Sequence, residues 1–210
     1  MPTDLPNVLT LSRIAAIPVL VLLVAMQSPA CDLAACAVFT AAAVTDYLDG
    51  HFARRWRQQS DLGRMLDPIA DKLLVGATLM MLAGEGRLSA GGLFPAIVIM
   101  LREILVSGLR EYLAGLRVGL PVTALAKWKT AVQMVALGVL LAGNSGAHVL
   151  GLGMLPISAI GEGLLWIAAA LTLVTGWDYL ISALRNVSPG ANPARDPAPP
   201  PSAQHPHVSR

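Results

Sequence analysis

Apolar residues in this 210-residue chain gather into runs of about 20, each long enough to cross a bilayer as an α-helix, while polar residues fall mostly between them. The runs lie near residues 10–28, 33–53, 66–84, 92–112, 124–142 and 158–182. Five- and seven-span readings stay open, because Gly143–Leu155 is only weakly apolar. Helices rather than strands follow from the run lengths and the Ala, Leu and Met content, and lipid admits only helices or closed barrels. The expected fold is therefore all-α, a polytopic membrane domain of six transmembrane helices over residues 1–187. Residues 5–13, with Pro6 early and polar Asn7, Thr10 and Arg13, predict a short interfacial helix leading into the first span. From Ser188 onward Pro, Ala and Ser dominate, so residues 188–210 are expected to be a disordered tail in which His205 and His207 are inert.

Composition agrees with this pattern. The chain is 55% hydrophobic and 13% charged, against roughly 25% charged residues in a soluble domain. A net charge of +2 is too small to suggest nucleic acid, and where the charges sit matters more. Arg54, Arg55, Arg57 and Arg64 follow the second run; Arg110 and Arg117 follow the fourth; Lys127 and Lys129 open the fifth; Arg185 follows the last. The alternate connections carry only Arg87. By the positive-inside rule both termini and this basic face are cytoplasmic. The N-terminus lacks a basic region ahead of its apolar run and so does not read as a cleaved signal peptide. Cys31 and Cys36 read as two small buried residues rather than a structural disulfide.

Against that background four carboxylates stand out. Asp46, Asp49, Gly50, Ala53 and Arg54 are spaced i, i+3, i+4, i+7 and i+8, one stripe of a helix. Gly63, Asp67 and Asp71 step by four and form a stripe on the next. A short basic connection makes the two helices antiparallel neighbours, so the stripes can meet at the cytoplasmic edge of the membrane. Ionised carboxylates there repel one another unless cations neutralise them. Two divalent ions clamping a phosphoryl centre suit such a set, and all-oxygen ligands favour Mg²⁺ or Mn²⁺ over zinc. Gly50, Ala53 and Gly63 clear side chains from the stripes so that a flat ligand can approach the backbone, although small residues also serve close helix packing in membranes. Arg54 can pair with a carboxylate or a phosphate.

The pattern D-x2-D-G-x2-A-R-x8-G-x3-D-x3-D over residues 46–71 resembles the signature of the CDP-alcohol phosphotransferases, membrane enzymes of phospholipid synthesis, at every fixed position. The resemblance implies six transmembrane helices, a homodimer, and transfer of a substituted phosphate from a CDP-linked donor to an alcohol with release of CMP. It makes Asp46, Asp49, Asp67 and Asp71 the metal ligands, Asp71 also the general base, and Asp46, Gly50, Ala53, Arg54 and Gly63 the lining of the CDP pocket.

The flanks point to the acceptor. Pro6–Arg13 with Ile14 and Pro18, Asp67–Val75, Arg102-Glu103-Ile104 with Gly108–Glu111, and Lys127–Thr130 with Gln133-Met134 resemble the phosphatidylglycerophosphate synthases of that family. The implied donor is CDP-diacylglycerol and the implied acceptor sn-glycerol 3-phosphate, in a bacterial inner membrane. Arg102 and Arg110 are two turns apart and Lys127 and Lys129 lie on the same side of the membrane, so these four cations suit a dianionic phosphate; anchoring to anionic headgroups is the plainer use of them. Lys127 and Lys129 are two apart and point almost oppositely on a helix, and Lys129 shares a face with Gln133. Glu103 and Glu111 can pair with the arginines, and Thr10 and Arg13 can close the pocket from the first helix. Arg117, Glu162 and Asp178 suggest no role. The rival readings are a cardiolipin synthase of the same family, which would use phosphatidylglycerol, an Asp-rich membrane prenyltransferase, and a cation transporter or lipid-binding module without turnover.

Overall fold

The structure is a computed structural model that describes residues 5–56, 61–115 and 124–187; of these, the side chains of residues 5–8, 47–56, 61–65, 178 and 182–187 lie outside the description. The expected tail, residues 188–210, also lies outside it. Six α-helices follow in order: α1 (Leu5–Ala25), α2 (Pro29–Trp56), α3 (Asp61–Gly84), α4 (Ala90–Gly115), α5 (Ala124–Val149) and α6 (Ile157–Val187). There is no strand among the described residues.

Local sequence accounts for the helix ends. Ser28 caps α2, its hydroxyl accepting from the Cys31 amide at 3.2 Å, and Pro29 takes the first helical position where no N–H is needed. Ser89 caps α4 in the same way through the Gly92 amide at 3.0 Å. Residues 5–13 are the opening turns of one continuous α1 rather than a separate interfacial helix. Pro6 falls near the start of α1, where a missing N–H is tolerated, and Pro18 is accommodated within it. Gly143, at φ 57° and ψ −175°, breaks α5 in the weakly apolar stretch, and the helix resumes to Val149.

The helices form a ring in the order α1, α2, α5, α6, α4, α3, packed closely at every seam but one. The seam between α3 and α4 is the thinnest, and α3 also touches α5 only lightly. The core is aliphatic: Leu20 and Val24 from α1, Phe39 from α2, Leu74 and Leu82 from α3, Ile99 from α4, Leu137 and Leu140 from α5, and Leu165 from α6. Small residues set the helix spacing; a Cβ on Gly161 would stand 2.7 Å from Leu140 Cγ, so α5 and α6 approach as closely as they do because that side chain is missing.

Outward-facing positions are apolar as well, among them Leu22, Met80, Phe94, Trp128 and Trp177, each about two-thirds exposed or more. Such a surface belongs in lipid. Among the described residues four helices are long and apolar enough to cross a membrane: α2 over Pro29–Asp46, α4, α5, and α6 over Ile157–Ile181. The apolar part of α1 is shorter, Leu9–Ala25, and α3 carries Asp67, Asp71 and Lys72 in its first half. This is an integral membrane protein. Cys31 and Cys36 are free thiols, half-buried rather than buried as expected.

The bundle end away from the aspartates has its own polar lock. Arg87 donates to Asp32 Oδ1 at 2.5 Å and to the Leu141 carbonyl at 3.2 Å, and Ser145 donates to Asp32 Oδ2 at 2.9 Å. Glu162, for which no role was foreseen, accepts from the Ser89 amide and hydroxyl at 2.6 and 2.7 Å and ties α6 to the start of α4.

Candidate active site

α1 organises the aspartates. Thr10 and Arg13, one turn apart on its buried face, are each 2% exposed. Arg13 Nη2 pairs with Asp46 Oδ1 of α2 at 2.8 Å, and the Thr10 hydroxyl donates to Asp67 Oδ1 of α3. The first helix thus binds the two aspartate helices to itself. Asp46 lies close enough to Asp67 and to Asp71 for their charges to interact. The two stripes meet as expected, at least through these three members. Asp49, Gly50, Ala53, Arg54 and Gly63 lie outside the described side chains, as do Arg117 and Asp178.

Among the described residues no three acidic, His or Cys side chains are grouped as a metal site. The chemistry of those brought together still fits a hard divalent cation. Asp46, Asp67 and Asp71, from two helices, carry the oxygen donors that such a cation prefers, and their mutual repulsion is what a cation would relieve.

Beyond Asp71 the thin seam of the ring opens into a cavity of about 280 Å³ between α3, α4 and α5. Asp71, Lys72, Glu103, Lys129, Thr130 and Gln133 supply its polar lining. Lys129, 5% exposed, donates to Glu103 Oε1, and Arg102 Nη1 lies 3.5 Å from the same oxygen. Gln133 is 2% exposed, and its Oε1 finds no partner among the described residues. A buried acceptor left open beside a cavity is where a ligand hydroxyl or ordered water belongs. Lys127 is exposed and does not line this cavity, so of the two lysines it is Lys129 that faces Asp71.

Arg102 and Arg110 turn toward α6. Arg102 Nη2 donates to Thr175 Oγ1 at 2.8 Å, and Arg110 Nη2 donates to the Tyr179 hydroxyl at 3.1 Å. Both guanidinium groups lie over the Tyr179 ring, 5.8 and 5.3 Å from its centre. Glu103 pairs with Lys129 more closely than with Arg102. Sequence reasoning missed Tyr179 and Thr175 entirely. A signal was present: Thr172, Thr175 and Tyr179, at i, i+3 and i+7, form a polar stripe that runs out of the apolar middle of α6.

Aspartates, lysine and arginines thus follow one another along one end of the bundle of a helical membrane protein. A family model for CDP-alcohol phosphatidyltransferase matches residues 3–174. The chain belongs to this family. It is 45% identical over 176 residues to the CDP-diacylglycerol–glycerol-3-phosphate 3-phosphatidyltransferase of Rickettsia bellii, covering 84% of this chain and 93% of the relative. It is 40% identical to the protein of the same name from Cereibacter sphaeroides, over 88% of this chain and 97% of the relative. A rice cardiolipin synthase (CMP-forming) is 44% identical over a shorter stretch, 66% of this chain and 45% of that protein.

Proposed function

We propose that this chain transfers the phosphatidyl group of CDP-diacylglycerol to sn-glycerol 3-phosphate, giving phosphatidylglycerophosphate and CMP. One observation carries the reading: beside Asp71, a cavity holds buried Lys129, and the Arg102–Arg110 pair continues from it by way of Glu103. An acceptor hydroxyl can lie against a base while its own phosphate meets fixed cations. In this reading the acceptor oxygen bonds to the phosphorus that carries diacylglycerol, the bond from that phosphorus to the bridging oxygen breaks, and CMP leaves with that oxygen. Asp71 takes the hydroxyl proton. Lys129 and Arg102 orient the acceptor phosphate, Arg110 adds a second guanidinium, and Gln133 Oε1 is placed to receive an acceptor hydroxyl. Thr10 and Arg13 hold Asp67 and Asp46 in place on their helices.

The family is generally dependent on divalent cations. Two Mg²⁺ or Mn²⁺ ions would be held by Asp46, Asp49, Asp67 and Asp71, and would neutralise the donor diphosphate and the charge that builds on CMP. Gly50, Ala53, Arg54 and Gly63 would line the CDP pocket, with Asp46 at its edge. The same reading includes a homodimer, six spans completed by α1 and α3, a domain over residues 1–187 with a Pro-rich tail, and an inner-membrane location with the aspartate face and both termini cytoplasmic. The basic connections at the aspartate end and the Asp32–Arg87 lock at the other support that orientation.

The rice relative keeps cardiolipin synthesis as the second reading. Its acceptor, phosphatidylglycerol, has no phosphate monoester and gains less from buried Lys129 and the arginine pair. CMP release by purified protein with CDP-diacylglycerol and Mg²⁺ separates the two. Release that depends on glycerol 3-phosphate is the expected result, and release only with phosphatidylglycerol would replace the first reading by the second.

A further inference from the structure

We infer that Tyr179, with Thr175 and Gly176 beside it on α6, is the positioning element that makes Arg102 and Arg110 a single phosphate-binding fork. The inference rests on the acceptor reading above and adds to it the part of the site that lies on a different helix.

Two guanidinium groups near one another repel, and each arginine loses side-chain freedom when it is fixed. Among the described residues the one carboxylate paired with either arginine is Glu103, whose Oε1 is 3.5 Å from Arg102 Nη1 and is bonded to Lys129. What holds them is α6. Tyr179 is 5% exposed, so its ring is fixed by packing, and it presents a π face to both guanidinium groups and its hydroxyl to Arg110. Thr175 donates its own proton to the Leu171 carbonyl at 2.9 Å, which leaves its oxygen as an acceptor for Arg102. Gly176 makes room: a Cβ there would stand 3.1 Å from Arg102 Cγ and 3.2 Å from its Nε.

These partners neutralise no charge. An aromatic face and two hydroxyl oxygens steady the cations while leaving their positive charge available, whereas a carboxylate in the same place would compete with the incoming phosphate. Arg102 Nε, buried and without a partner among the described residues, is a donor still free for that ligand. Tyr179 therefore acts on acceptor affinity through the arginines.

The test is steady-state CMP release by the full-length protein in detergent, varying glycerol 3-phosphate and CDP-diacylglycerol separately. Tyr179→Leu should raise KM for glycerol 3-phosphate about tenfold, with kcat and the KM for CDP-diacylglycerol within about twofold. Tyr179→Phe, which keeps the ring and loses the hydroxyl, should raise it about threefold with an unchanged melting temperature. In an Arg110→Ala background Tyr179→Leu should add clearly less than it does alone, because one of the two groups it positions is already gone. If Arg110→Ala raises KM and neither Tyr179 variant does, the inference fails and the acceptor reading stands. If neither Arg102→Ala nor Arg110→Ala raises it, the acceptor reading fails and takes the inference with it. Should Tyr179→Leu fold poorly, the Phe variant decides: an unchanged KM for glycerol 3-phosphate overturns the positioning role.

Discussion

Lys129→Met separates a structural role for Lys129 from a functional one. The ammonium is buried and donates to Glu103, whose side chain is 18% exposed and has Arg102 3.5 Å away. Removing one partner of a fully buried pair costs roughly 3–5 kcal/mol. Here Glu103 keeps some water and a second cation, so about 2 kcal/mol is expected, a fall in melting temperature of about 4–8 °C for a chain of this size. Adding Glu103→Gln removes the stranded charge and should recover most of that loss. Affinity should not recover with it. Loss of one charge-assisted contact to a phosphate is worth about 1.5–3 kcal/mol, or roughly 10- to 150-fold in the KM for glycerol 3-phosphate. The assays are thermal unfolding followed by tryptophan fluorescence, and CMP release at saturating CDP-diacylglycerol with the acceptor varied. A double variant that regains both stability and a wild-type KM would mean that Lys129 only neutralises Glu103, and would remove it from the acceptor site.

Asp67→Asn and Asp71→Asn should each lower CMP release at least about 100-fold while the protein still inserts and folds; full activity in either sinks the metal-site assignment. Chelation with EDTA should abolish release and either Mg²⁺ or Mn²⁺ should restore it, so turnover that persists in chelator argues against a cation-dependent site. Asp32→Ala, at the other end of the bundle, strands Arg87 and Ser145 and should destabilise by about 2 kcal/mol, with both KM values unchanged in the folded fraction. A changed acceptor KM there would refute the separation of the two ends.

The helical architecture was legible because bilayer thickness and the 3.6-residue period both act locally along the chain. All six helices fall where the apolar runs lie. What was not legible locally was how the helices associate. Residues 5–13 looked interfacial because Thr10 and Arg13 are polar, but both are buried in α1 on distant partners, Thr10 on Asp67, 57 positions on, and Arg13 on Asp46. Asp32 drew no notice and Arg87 counted only as a loop charge; their meaning is the bond between them, which requires α2 and the α3–α4 connection to end at the same level.

The two halves of the candidate site differ for the same reason. The aspartates lie on two helices joined by one short connection, so residue spacing alone predicts that they meet, and the interaction of Asp46 with Asp67 and Asp71 agrees. The acceptor side is assembled from α3, α4, α5 and α6, and no spacing rule relates Arg110 to Tyr179, 69 positions on. Of its members, sequence supplied the cations, because charge in an apolar helix is conspicuous, and omitted the groups that steady them. Threonine, glycine and tyrosine are ordinary in a membrane helix, and they become informative only when a guanidinium is found against them. Spacing also left Lys127 and Lys129 undecided, and burial separates them: the lysine that lost its water is the one beside Asp71, where a desolvated cation interacts most strongly with an anionic ligand.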